Sequence, residues 1–113
     1  MTKTLYIPER GDIVWIQLNP QAGHEQAGHR PALVLSPAKY NRRTGLMLCC
    51  PITTKVKGYP FEVITEDASG IEGAILADQV KCLDWRARKA KKKGEVSSNI
   101  VQHTLRKLHT LLM

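Results

Sequence analysis

No run in this 113-residue chain approaches the roughly 18 apolar residues that a membrane span takes, and the opening MTKTLYIPERGD lacks the apolar core of a secretion signal. The cytoplasm is the expected location. No long Pro-, Gly- or Ser-rich segment separates two folding units either, so residues 1–113 are expected to form one domain. Cysteine is scarce: Cys49 and Cys50 adjoin inside an apolar run and Cys82 stands apart, a layout suited neither to a disulfide framework nor to a zinc site. All three are expected to be buried, reduced thiols. Walker, GxGxxG, HExxH and Cys-x-x-Cys patterns are absent, so the sequence gives no support for nucleotide-cofactor or zinc chemistry; neither a cofactor nor a metal is expected.

Positive charge is what the chain has in excess. Lys and Arg number 17 against 10 Asp and Glu, a net charge of +7, which suits a polyanionic partner and nucleic acid first among them. Composition alone does not separate RNA from DNA. The 42% of hydrophobic residues is ordinary for a globular protein and is enough for a core without staples.

Short strands are expected over Ile13 to Leu18, Pro31 to Leu35, Leu46 to Ile52, Phe61 to Thr65, Ala74 to Ala77 and Val80 to Trp85, each rich in β-branched or apolar residues and bounded by turn residues. Pro51 cannot donate to a ladder and predicts an edge or a bulge there. Ser36-Pro37 before AKYNRRTG predicts a short helix with serine as its N-cap and Gly45 at its exit. From about Ser98, apolar Val101, Leu105, Leu108 and Leu112 recur at helical spacing, with Thr104 and Leu111 beside them. Many short strands with one closing helix predict a mainly β (α+β) fold: a small barrel or strongly curved antiparallel sheet under a helical lid.

Two segments lack core-forming character. QAGHEQAGHR, between the first two strands, holds two glycines, two histidines, a glutamate and an arginine. Loops so poor in apolar residues are commonly functional. RARKAKKKG, after Trp85, reads as a solvated loop or as part of a phosphate track. Both tryptophans sit in strand patterns and are expected to be buried rather than to stack on bases.

GDIVWIQLNP, GHEQAGHRPALVLSPAKYN, PITTKVKGYPFEV and ALADQVKCLDWRAR follow one another in the order and spacing of the MazF/PemK toxin ribonucleases, and the chain resembles that family over nearly its whole length. EQAGHRP, KGYPFEV and ADQVK are the specific blocks. The resemblance implies an SH3-like small barrel, a homodimer, cleavage of single-stranded RNA at a short base motif, and inhibition by a cognate antitoxin with an acidic disordered tail. By the same resemblance Arg30 matches the catalytic arginine, Thr53 the catalytic threonine, and Glu25 and Gln26 loop positions that hold the active site together. His24 stands where one branch of the family has an active-site histidine, and Asp78 matches that branch's aspartate. The arginine that accompanies this aspartate falls on Leu76 here, which favours the arginine–threonine arrangement.

Metal-free RNA cleavage proceeds by attack of the 2′-OH on the adjacent phosphorus, a nucleophile that DNA lacks. Arg30 suits the developing charge, since guanidinium offers a planar fork that matches two phosphate oxygens. Its high pKa makes it a poor base, which leaves Glu25 or His24 to accept the proton. Thr53 offers a neutral hydroxyl donor. His29 is expected to order the loop, and Asp78 and Gln79 to orient it or touch RNA. Lys55, Lys57, Lys81 and Arg86 are candidates for phosphate contacts.

Two rivals remain at the level of sequence. A non-catalytic RNA-binding barrel would keep charge and sheet without converging Arg, Glu and Thr. A gyrase poison of the same fold acts through a C-terminal tryptophan, whereas this chain ends Leu111-Leu112-Met113.

Overall fold

The computed structural model describes residues 5–18, 28–65 and 70–113. Among the described residues, seven strands form one antiparallel sheet: β1 (Asp12–Leu18), β2 (Gly28–Val34), β3 (Leu46–Thr53), β4 (Glu62–Ile64), β5 (Ala74–Leu76), β6 (Lys81–Asp84) and β7 (Lys91–Glu95). Two α-helices among the described residues accompany it, α1 (Ala38–Thr44) and α2 (Ser98–Leu112). The α+β, mainly antiparallel expectation is met. The pairing path β4-β5-β3-β2-β1-β7 is open, however, with β6 added on β3, so the sheet is not a closed barrel. Its ends are three-residue β4 and lysine-rich β7, and charged side chains along an edge strand oppose further pairing.

Strand alternation places a core on each face. Val14, Ile16 and Leu18 of β1 pack with Ala32, Val34, Met47, Cys49, Leu83 and Trp85 on one side. Ile13, Leu33, Cys50, Ile52, Val63 and Ile75 form the other core, against which Ile100, Leu105 and Leu108 of α2 lie. Residues of opposite parity on one strand thus belong to different cores.

β5 and β6 run along the same edge of β3 with an insertion between them. Ile52 pairs with Ile75 and Cys49 with Lys81, so three steps along β3 match six on the other strand. The 3₁₀ turn Ala77–Gln79 takes up the surplus. Leu35 N–H donates to the Leu48 carbonyl at 2.8 Å, so even-numbered β3 residues face β2 and the nitrogen of Pro51 faces this insertion. The bulge that Pro51 predicted is therefore the place where Asp78 and Gln79 leave the ladder.

Several local expectations are corrected. Ser36 does not cap α1; Pro37 holds the N-cap position without a side-chain bond. Ser36 instead is buried, donates from Oγ to Asn41 Oδ1 at 2.6 Å and accepts from Leu48 N–H at 2.8 Å. Asn41 Nδ2 donates to the carbonyls of Pro8 and Ser36, so a fully buried amide is satisfied and ties α1 to the sheet. Gly45 does close α1, at φ 76°, a left-handed value that glycine adopts without Cβ strain. RARKAKKKG is only partly a loop, because Lys91–Glu95 pairs with β1 as an edge strand, with a register shift between Ile13 and Val14.

Cys82 is exposed, unlike Cys49 and Cys50. Burial pushes the Cys49 thiol up to about 12 and raises that of Cys50 as well, so both stay protonated at neutral pH. Trp85 is buried as expected, with its indole N–H donating to the Asn41 carbonyl at 2.8 Å. Trp15 is only partly buried. In α2, Val101 and Thr104 are buried and Thr104 Oγ1 donates to the Ile100 carbonyl, whereas Leu111 and Leu112 are exposed. Among the described residues no helix is long and apolar enough to cross a membrane.

Candidate active site

Thr53 ends β3 where the sheet meets the 3₁₀ turn. It lies two residues beyond the last β2–β3 pair, Ala32 with Pro51, and Arg30 lies two residues beyond it on the other strand. Alternation therefore puts Arg30 and Thr53 on one face, directly across from each other if the register is continued. Thr53 is buried, and its Oγ1 accepts from the Lys55 backbone N–H at 3.1 Å. A hydroxyl that accepts there keeps its own hydrogen to donate.

Thr53 also lines a cleft of about 290 Å³ with Lys55, Lys57, Tyr59, Phe61, Glu62, Leu76, Asp78 and Gln79. Five of the residues singled out in the sequence thus converge: Thr53, Lys55, Lys57, Asp78 and Gln79. The 3₁₀ insertion brings the last two here, since residues kept in the β5–β6 ladder would run past along β3.

Glu62 was not singled out, and it organises the cleft's basic rim. Its buried carboxylate accepts from the backbone N–H of Lys57 at 3.2 Å and of Gly58 at 2.9 Å. Charge-assisted bonds of this kind fix a loop that has no ladder of its own. From α2, Lys107 Nζ donates to the carbonyls of Pro60 and Glu62, tying the helix to the same loop. The available signal was an acid inside a strand pattern immediately after a basic loop.

Other candidates lie apart. Arg30 is half-buried on β2 and is not among the cleft's lining residues. Lys81 pairs with Cys49 at the start of β6. Arg86 is exposed, with its guanidinium 4.9 Å from the centroid of Trp85. His29 has the opposite parity to Arg30 and accepts at Nδ1 from the Trp15 indole N–H. His24, Glu25 and Gln26 fall outside the described residues.

The described groups form a cleft with two lysines and a threonine hydroxyl in its lining. Lysines at 55 and 57 supply positive charge, and the backbone bonds to Glu62 hold their loop. Arg30 adds a forked cation on the face that Thr53 shares.

Comparison with known proteins identifies the family. The profile of a family described as the PemK-like, MazF-like toxin of type II toxin–antitoxin systems matches residues 9–112. The endoribonuclease toxin MazF of Escherichia coli K12 is 50% identical over 107 residues, covering 95% of this chain and 96% of the relative. Endoribonuclease PemK of Escherichia coli is 36% identical over 111 residues, covering 92% and 81%. Among solved structures, MazF from Deinococcus radiodurans superposes with a TM-score of 0.90 at 50% identity, covering 95% of this chain and 97% of that one. A MazE–MazF complex from the same organism gives a TM-score of 0.86, also at 50% identity, covering 95% and 96%.

Proposed function

The chain belongs to the PemK-like, MazF-like family of type II toxins and is an endoribonuclease, and from that premise we propose that it cuts single-stranded messenger RNA by 2′-OH attack without a metal. The observation that supports the reading is that strand alternation puts Arg30 and Thr53 on one face of the sheet, with Thr53 lining a cleft that Lys55 and Lys57 also line. In this mechanism the 2′-oxygen attacks phosphorus and the bond to the 5′-oxygen breaks. Glu25 or His24 takes the 2′-proton, and a proton from that protonated group or from water passes to the leaving 5′-oxygen. Arg30 neutralises the phosphorane's extra charge and Thr53 donates to a phosphate oxygen. The products are a 2′,3′-cyclic phosphate and a 5′-OH. Asp78 and Gln79 orient the bound strand. A homodimer acting in the cytoplasm completes the reading, both features carried over from the family resemblance and the sequence.

The expected result with a 2′-deoxyribose at the cut position is an inert substrate, while activity on all-ribose RNA persists in EDTA. Mass spectrometry of the ends checks the cyclic phosphate. Cutting of the deoxy analogue, or loss of activity on chelation, sinks the mechanism.

Regulation follows from charge. The net +7 and the Lys55–Lys57 rim favour an acidic segment as a competitor for the cleft, and a solved MazF relative is held in a complex with MazE. A cognate antitoxin with an acidic disordered tail should therefore exclude RNA, with Lys55, Lys57, Lys81 and Arg86 contributing to both partners. Removing these charges should weaken both complexes and flatten the salt dependence of RNA binding. In competition binding with labelled RNA, unchanged RNA affinity at saturating antitoxin would rule out mutual exclusion.

A further inference from the structure

Away from the Thr53 cleft, a second hollow of about 430 Å³ opens at the end of the β1–β2 hairpin, lined by Trp15, Gln17, His29, Ala87, Arg88, Lys89 and Lys91. It shares no lining residue with the first. Its floor is the partly exposed Trp15 indole, braced at its edge by His29, with ring centroids 4.6 Å apart and planes at 69°. The bond from indole N–H to His29 Nδ1 fixes both rings. Cations stand around them: Arg88, Lys89 and Lys91 in the lining, and the Lys93 ammonium 5.9 Å from the Trp15 ring centroid.

Three features of the backbone set this arrangement. Lys91 is the β7 partner of Trp15, and Lys93 is the extra residue where the β1–β7 register shifts, between the pairs at Lys92 and Gly94. Arg88 crosses to donate from Nη1 to the Gln17 carbonyl at 2.8 Å, which ties the basic turn to β1. Lys89 has φ 53°, the only positive φ at a non-glycine among the described residues. Glycine is the residue favoured in that conformation, so a lysine there keeps its side chain at a cost in backbone energy. Strain of this kind concentrates at binding sites.

We propose that this hollow is a nucleobase subsite: a base of the single-stranded RNA stacks on Trp15, and its flanking phosphates lie against Lys89, Lys91 and Lys93. An aromatic face ringed by cations is the chemistry that holds single strands without base-pairing, and stacking of this kind accepts any base. His29 and Arg30 are neighbours on β2 that point to opposite faces, so one residue links the subsite to the face bearing Thr53. The subsite deepens the ribonuclease reading by assigning a place to nucleotides outside the cut bond.

The test compares a long RNA with the shortest RNA that wild type cuts. In Trp15→Ala, KM for the long RNA rises about tenfold or more with kcat retained, and much less for the short one; Trp15→Phe recovers most of the loss. Lys89→Gly is expected to melt at a higher temperature than wild type and yet to bind long RNA more weakly, with a shallower salt dependence. Equal losses on both RNAs, or none, overturn the subsite. Should Trp15→Ala fail to fold, Lys89→Gly and Trp15→Phe carry the test. An uncleavable 2′-O-methyl RNA separates this proposal from the ribonuclease reading: it should quench Trp15 fluorescence in wild type and not in Trp15→Phe, which retains buried Trp85. If wild type cuts no RNA but is quenched, the ribonuclease reading falls and the subsite stands. If there is no quench, or only polyglutamate produces one, the subsite falls.

Discussion

Arg30→Ala is expected to lower kcat for RNA cleavage by about a hundred- to a thousand-fold while the protein stays folded, the loss typical of removing one preorganised donor to a transition-state charge. Arg30 sits past the last β2–β3 pair, Ala32 with Pro51, and is only half-buried, so its truncation opens no cavity in either core. Arg30→Lys keeps the charge without the fork and should recover only part of the rate, since an ammonium cannot hold two phosphate oxygens in one plane. Thr53→Ala should also lose most cleavage. It further leaves the Lys55 N–H without its acceptor, at about 1 kcal/mol of stability, whereas Thr53→Ser should retain both functions. Initial rates on a defined RNA, paired with thermal melts of each variant, check this. Folded Arg30→Ala cutting at the wild-type rate would place the chemistry elsewhere.

The fold was legible wherever periodicity met a turn residue. Ile13 faces one core and Val14, Ile16 and Leu18 the other, which is what the β-branched run allowed; α2 begins at Ser98, as the helical spacing implied, with Ser97 as its N-cap. Ser36 misled because serine before proline has the form of a cap, and only the tertiary structure shows its hydroxyl spent on Asn41 and Leu48. The lysine run misled for a related reason. Charge is compatible with a strand whose one edge and one face are wet, so KKKGE adds to β1 although it carries no apolar pattern.

The cleft's residues were legible through the family resemblance and through charge, and its geometry was not. Thr53 and Asp78 were singled out by the family resemblance, Gln79 as the neighbour of Asp78, and Lys55 and Lys57 as cations suited to phosphate; all five converge on one hollow. What gathers them is the three-residue insertion opposite Pro51, a register event to which the sequence contributes only the proline. Trp15 shows the converse case. A strand pattern does not say which face is covered, and Trp15 ends up lining an open hollow while Trp85 is sealed against Asn41.

Gly73→Ala is expected to be the most damaging Gly→Ala change among the described residues and to reach the site through Thr53. Both glycines of EDASGIEG have the same meaning as sequence, a turn between two strands. The structure separates them. Gly70, at φ 76°, has nothing within 4 Å of where a Cβ would stand; Gly73, at φ 150°, would press its Cβ onto the Thr53 carbonyl oxygen, with the carbonyl carbon only 3.1 Å away. The β5 strand packs this closely because Ala74 pairs with Thr53, so the new methyl has backbone, not a flexible side chain, to displace. Overpacking and a conformation closed to L-residues act together, for a cost of about 3 kcal/mol or more. In a domain of this size that corresponds to a fall in Tm of roughly 10 °C or more. Gly70→Ala, which meets only the conformational penalty, should lose about 1 kcal/mol and retain cleavage. The two variants are compared by thermal melt and by kcat at a temperature where both are folded. Gly73→Ala should show a reduced kcat there, because relieving the clash moves the end of β3 that carries the hydroxyl. Equal melting temperatures and equal rates for the two would mean that β5 does not hold Thr53 in place.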